Sequence, residues 1–271
     1  GTCPNRPPEP AAEGLLPLAR MVVATGAALG IAHDGDADRM MGFDGRGRFI
    51  DGDRLLVLFA RYLADLAQAG IRPYVVPGNH DIFNPHATSY SAAGKERVPW
   101  VSPEEFADIY RDCGYGDAVE RDPASLSYVA EPVPGLWLLA LCSADYRENP
   151  KKSDPRTGGR ISPETSRWVE RVLTDALASG KAVVAMMHHG VLEHYRGQAK
   201  HFGEYLVDDY MAVADLLASY GVHVVFTGHY HAQDVTLKRW GEGKFLYDVE
   251  TGSLVSYPNP TRTVEIGENG H

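Results

Sequence analysis

Three apolar runs stand out along the chain because they do not alternate with polar residues: 73–77, 181–187 and 222–227. A run of four to eight apolar residues bounded by turn formers reads as a strand buried on both faces. Shorter strands are expected at 28–32, at 125–130 and 136–142 as a hairpin, and at 245–249, 252–257 and 262–266 closing a sheet. Helical spacing of apolar residues predicts helices over 11–26, over 54–69 with Gly70 as its stop, and over 208–220. Two more begin where Ser102 and Ser162 precede Pro103 and Pro163, the second ending at Gly180. The proline-rich opening, 3–10, is expected to be extended.

Strands alternating with helices indicate an α/β fold. At 271 residues and 44% hydrophobic content, the chain has ample material for a large core. Its formal net charge of -10 argues against a grip on a nucleic-acid backbone or an anionic membrane surface. A small phosphorylated substrate stays open, because a bound cation would supply positive charge locally. Cys3, Cys113 and Cys142 are too scattered for a disulfide framework or a paired zinc site. No apolar run reaches the roughly 20 residues of a membrane span, and no signal core is visible, so a cytoplasmic, reducing location is expected. Oligomeric state is not set by the sequence.

Chemistry gathers where the apolar runs end. The first empties into Gly78-Asn79-His80-Asp81, the second into His188-His189-Gly190, the third into Gly228-His229-Tyr230-His231. In layered α/β folds such strand ends form the ligand crevice. If the last run continued as extended chain, His229 and His231 would turn to one face and offer two imidazoles to a metal. Upstream, Asp34, Asp36 and Asp38 occupy alternate positions of a glycine-containing turn. Carboxylates so spaced repel unless a cation sits between them, and hard oxygen ligands suit Mg²⁺ or Mn²⁺. An EF-hand is excluded, since Arg39 and Gly45 stand where glycine and glutamate are needed. Residues 190–209, with Glu193, His194, Tyr195, Arg196, His201 and Tyr205, read either as a cover over the site that selects substrate or as a plain connector.

The ordered set GNHD, HH and GHxH, over about 64–257, resembles the calcineurin-like metallophosphoesterase family. The resemblance implies that Asn79, His188 and His229 ligate one metal and His231 the other. It also implies that His80 contacts the phosphate and protonates the leaving oxygen, and that Asp81 orients His80. His189 is the lesser candidate of the adjacent pair. Such a centre holds two divalent ions, with Mn, Fe or Zn suited to imidazole and amide ligands, and hydrolyses a phosphomonoester or phosphodiester by metal-activated hydroxide.

Residues 3–64 resemble something else, the metal-loop segment of the phosphoglucomutase and phosphomannomutase family. The match runs through the opening prolines, Gly30-Ile31-Ala32, the Asp34 to Arg39 loop and Asp51-Gly52-Asp53-Arg54. In that family the three loop aspartates hold Mg²⁺, which implies Asp34, Asp36 and Asp38 here, with His33 departing from a common aromatic. The phosphoserine loop and sugar-binding domains of a mutase have no counterpart, which disfavours a phosphohexomutase.

This segment also stands where a metallophosphoesterase carries its first two motifs, Asp-x-His and a Gly-Asp pair. A replacement is conceivable, with Asp53 bridging the metals and His33 and Asp34 or Asp36 completing the first site; a single-metal site, or rescue by His194 or His201, are the alternatives. The expected architecture is a layered sandwich of two β-sheets flanked by helices. Residues 1–64 are integrated into it and supply its first strands, and 65–271 form the metallophosphoesterase-like domain. The second functional reading is a catalytically weak chimera, natural or artificial, that binds metal through an incomplete site.

Overall fold

The computed structural model describes residues 12–33, 40–50, 61, 65, 66, 68–87, 97–253 and 261–267. Its main sheet has seven strands: β4 (Glu120–Arg121), β5 (Tyr128–Val133), β6 (Leu136–Leu141), β7 (Ala182–Met187), β8 (Val224–Thr227), β9 (Asp234–Arg239) and β10 (Phe245–Glu250), in the order β4-β5-β6-β7-β8-β10-β9. The central four, β6, β7, β8 and β10, are parallel, and the outer strands run antiparallel to them. The ends of β7, β8 and β10 therefore open on one edge.

Period-two alternation gives each face of this sheet its own core. Leu139, Leu141, Ala185, Met187, Val225 and Leu246 meet Trp168, Val172, Leu173 and Leu217 on one side. Their neighbours Ala140, Cys142, Tyr128 and Ala130 meet Ile82, Phe106, Tyr115 and Tyr146 on the other. Truncating a wholly buried residue such as Leu173 is expected to cost about 2–5 kcal/mol.

The expected helix starts are in place. Ser102 and Glu105 form a reciprocal capping box at α2 (Pro103–Ile109), and the Ser162 hydroxyl accepts the Thr165 N–H at 3.1 Å to open α3 (Pro163–Ala178). A short α4 (Gln198–His201) and α5 (Tyr210–Ser219) follow.

The N-terminal part forms a separate three-stranded antiparallel sheet, β1 (Leu29–His33), β2 (Met40–Asp44) and β3 (Phe49–Ile50), with α1 (Leu16–Thr25) against it. Close approach is possible because Gly30 lacks a side chain; a Cβ there would lie 2.3 Å from Val22 Cγ2. Leu15, Ala19, Val22, Ala32, Met41 and Phe43 make a small core of their own. Among the described residues no strand ladder joins the two sheets.

Three expectations need correction. Residues 73–77 are not a strand: Pro73 and Pro77 offer no N–H, and Val75 spends its own on Cys113 O and Tyr128 Oη. Residues 262–266 are not a strand either, since Arg262 reaches back to the Asp234 and Glu250 carbonyls. The first strand is not buried on both faces, for Leu29 and Ile31 are exposed. Most of the expected helix 54–69 lies outside the described residues, as do 254–257 of the strand expected at 252–257; residues 252 and 253 are not in a strand.

Candidate metal centre

The sheet edge brings three side chains from distant segments together. His188 follows directly on β7, and His229 follows β8 after one glycine. His188 Nε2 lies 2.9 Å from Asn79 Oδ1 and 3.0 Å from His229 Nδ1. Asn79 arrives on the irregular segment after Pro77, and Gly78 makes room for the contact, since a Cβ there would press within 3.0 Å of the His188 ring. Tyr128 Oη donates to Val75 O at 2.9 Å and anchors that segment.

The Gly228 to His231 run is a tight turn rather than a continued strand. His229 and His231 have φ of 69° and 59°, left-handed values that non-glycine residues adopt at a cost. The two rings are thus aimed by a turn, not by strand alternation.

Burial holds the imidazoles neutral. It lowers His188 to about 3 and His229 to about 2, with the neighbouring His189, His80 and His231 charges adding to the shift in both. His80 and His231 are therefore close enough to be felt at the cluster. Asn84 Nδ2 donates to the His80 carbonyl at 3.0 Å. The Asp81 carboxylate accepts the Gly78 N–H at 2.6 Å and so braces the turn that carries Asn79.

His189 is chemically occupied although it lies in the same cluster. Its Nε2 must donate to the Thr157 carbonyl at 2.8 Å, which leaves Nδ1 to accept from the Ser143 hydroxyl, also at 2.8 Å. With both nitrogens engaged it supports the site and offers it no lone pair.

His194 is likewise engaged elsewhere, its Nδ1 lying 2.9 Å from Asp234 Oδ2. His201 ends α4 on the exposed surface. Asp34, Asp36, Asp38 and Asp53 lie outside the described residues, and of His33 only the backbone, closing β1 opposite Met40, is described. Residues 190–209 do reach the centre: the Tyr205 ring packs on His229 with centroids 4.7 Å apart, and Tyr230 packs on Tyr205 at 4.8 Å.

The donor set fits a divalent cation. Asn79 Oδ1, His188 Nε2 and His229 Nδ1 are electron-pair donors, yet the single proton His188 Nε2 can carry cannot serve both neighbours. Adjacent ligands about 2.1 Å from an ion in an octahedral shell sit about 3.0 Å apart, which the two observed separations match. Among the described residues, His188, His189 and His229 are the cluster whose ligand atoms all lie within 4.8 Å of one another.

The sequence reading passed over two residues that hold this edge, Asp248 and Glu250 on β10. The signal was there: Leu246, Asp248 and Glu250 share the buried face of one strand, where an apolar residue is the rule.

Comparison with known proteins separates the two parts of the chain. Phosphoglucosamine mutases from Methanosarcina barkeri and Methanothermobacter thermautotrophicus are 55% and 57% identical over 62 and 61 residues, 23% and 22% of this chain, and the match spans 14% of each mutase. A dimetal phosphatase from Danio rerio matches in fold with a TM-score of 0.50 at 14% identity, covering 76% of this chain and 69% of that one. The family model for calcineurin-like phosphoesterases matches residues 27–233, and so reaches forward into the mutase-like stretch. The chain belongs to the calcineurin-like phosphoesterase family.

Proposed function

We propose that this protein hydrolyses a small phosphomonoester or phosphodiester, with Asn79, His188 and His229 holding one divalent ion and His231 serving a second. The observation that carries the reading is the convergence of His188 Nε2 on Asn79 Oδ1 and His229 Nδ1, from three separate segments. When bound, divalent ions supply positive charge to phosphate oxygens and bring the pKa of water toward neutrality. The chain's own contribution is to hold the ligands neutral by burial and to fix them with short contacts. His80, beside Asn79 on the same turn, contacts the phosphate and gives its ring proton to the leaving oxygen. Asp81, tied to the Gly78 N–H, keeps that turn closed.

The second reading is a metal-binding protein of weak or no activity with one ion. It is favoured by the cluster itself, which contains no carboxylate to bridge two ions among the described residues. Metals per chain, and turnover of an aryl phosphate and its diester with Mn²⁺, separate the two. The enzyme reading expects about two metals, with Asn79→Ala and His231→Ala each lowering kcat/KM at least about 100-fold. One metal and no turnover in the parent would leave the second reading.

A further inference from the structure

We propose that Asp248 is a positioning residue of the metal centre, tying the loop after His188 to the turn that carries His229. The inference rests on the metal reading above. Asp248 sits on β10 beside β8 and is wholly buried. Its Oδ2 accepts the Val191 and Leu192 N–H groups at 2.7 and 3.0 Å, three and four residues past His188. Its Oδ1 accepts the Thr227 hydroxyl at 2.5 Å, two residues before His229. One side chain thus sets the spacing of two ligand-bearing segments that share few other direct ties, such as the Gly228 N–H donating to His188 O at 3.1 Å.

A carboxylate is needed for this task. All three partners are donors, so an amide would turn an N–H₂ group against one of them. A buried carboxylate is costly unless its acceptor sites are filled and its charge balanced. Here the three donors fill them, and the His194 ring lies 3.6 Å from Asp248 Oδ1 and 3.5 Å from Glu250 Oε2. Glu250, two residues on, has the backbone of Ala232 at its carboxylate, directly after His231. The arrangement is a brace and not another cation site: His194, Asp248 and Glu250 are absent from the ligand clusters within 4.8 Å among the described residues.

Co²⁺ titration by calorimetry and visible absorption tests this without reference to turnover. Asp248→Asn is expected to bind Co²⁺ at least about tenfold more weakly than the parent, with a changed ligand-field spectrum. Thr227→Val, which cuts only the His229 side, should weaken binding by a smaller factor. Asp122→Asn is the matched control: Asp122 is a buried aspartate whose partners Ala124, Ser125 and Thr165 belong to no histidine-bearing loop. It should lower the melting temperature and leave Co²⁺ affinity and spectrum alone. Parent-like Co²⁺ binding in Asp248→Asn overturns the proposal, as does an equal loss in Asp122→Asn. Should Asp248→Asn not fold, parent-like affinity in Thr227→Val overturns it instead. A parent that binds no Co²⁺ would defeat the metal reading itself, and the brace with it.

Discussion

His188 and His189 are neighbours in sequence and opposites in chemistry. Alternation at the end of β7 sends one ring to the sheet edge and the other inward, where Ser143 and Thr157 occupy both its nitrogens. Burial lowers His189 to about 4, so it stays neutral in that tautomer. His188→Ala is expected to weaken metal binding at least about 100-fold. His189→Ala should leave the metal count unchanged but cost about 1–3 kcal/mol, because it strands a buried hydroxyl and a carbonyl. Equilibrium dialysis alongside urea unfolding of both variants checks the pair; equal metal loss in both would erase the division of labour.

At the scale of elements, β10 combines a scaffold role with buried charge. Burial pulls His194 down, but hydrogen bonds and charge from Asp248, Asp234 and Glu250 outweigh it and hold the ring at about 9. A histidine raised in the folded state stabilises fully below its unfolded pKa, here 6.5, and loses that contribution as pH rises through the folded value. Glu250, lifted to about 7 by burial, has already titrated by then. Melting temperature should therefore fall steadily between about pH 7 and pH 9, by an amount worth roughly 1–3 kcal/mol, and His194→Gln should flatten that slope. A parent curve flat over this range would show that the ring is not held charged.

The same strand shows where the sequence was readable. β7 and β8 announced themselves because both faces of a central parallel strand are covered, and Ser102 and Ser162 announced their helices because a cap needs an oxygen at that position. Residues 73–77 misled because apolarity was read without counting the two missing N–H groups. Asp248 and Glu250 escaped because their role lies in partners more than 15 residues away, as Thr227 and Val191 are from Asp248. The turn at His229 escaped because extended geometry and a left-handed turn both fit the letters Gly-His-Tyr-His.

At the scale of the whole molecule, two likenesses overlap. The mutase-like stretch ends near residue 64, while the phosphoesterase match starts at residue 27. The seven-stranded sheet draws its two cores from residue 74 onward, and the N-terminal sheet draws its own from residues 15 to 49. Packing thus gives neither sheet an evident need for the other, so the reason for their union has to be sought in the metal chemistry. The His188 cluster supplies nitrogen and amide donors and lacks a bridging carboxylate among the described residues. We propose that the N-terminal part makes up the lack through Asp53, with His33 and Asp34 or Asp36 beside it. Asp53→Ala should then bind about one Mn²⁺ per chain where the parent binds about two, and its kcat/KM should fall at least about 100-fold, while Asn79→Ala disturbs the other ion. Metal analysis after gel filtration reads the count directly. If Asp53→Ala keeps both ions and full turnover, the N-terminal segment is a passenger and the second ion must find its ligands elsewhere.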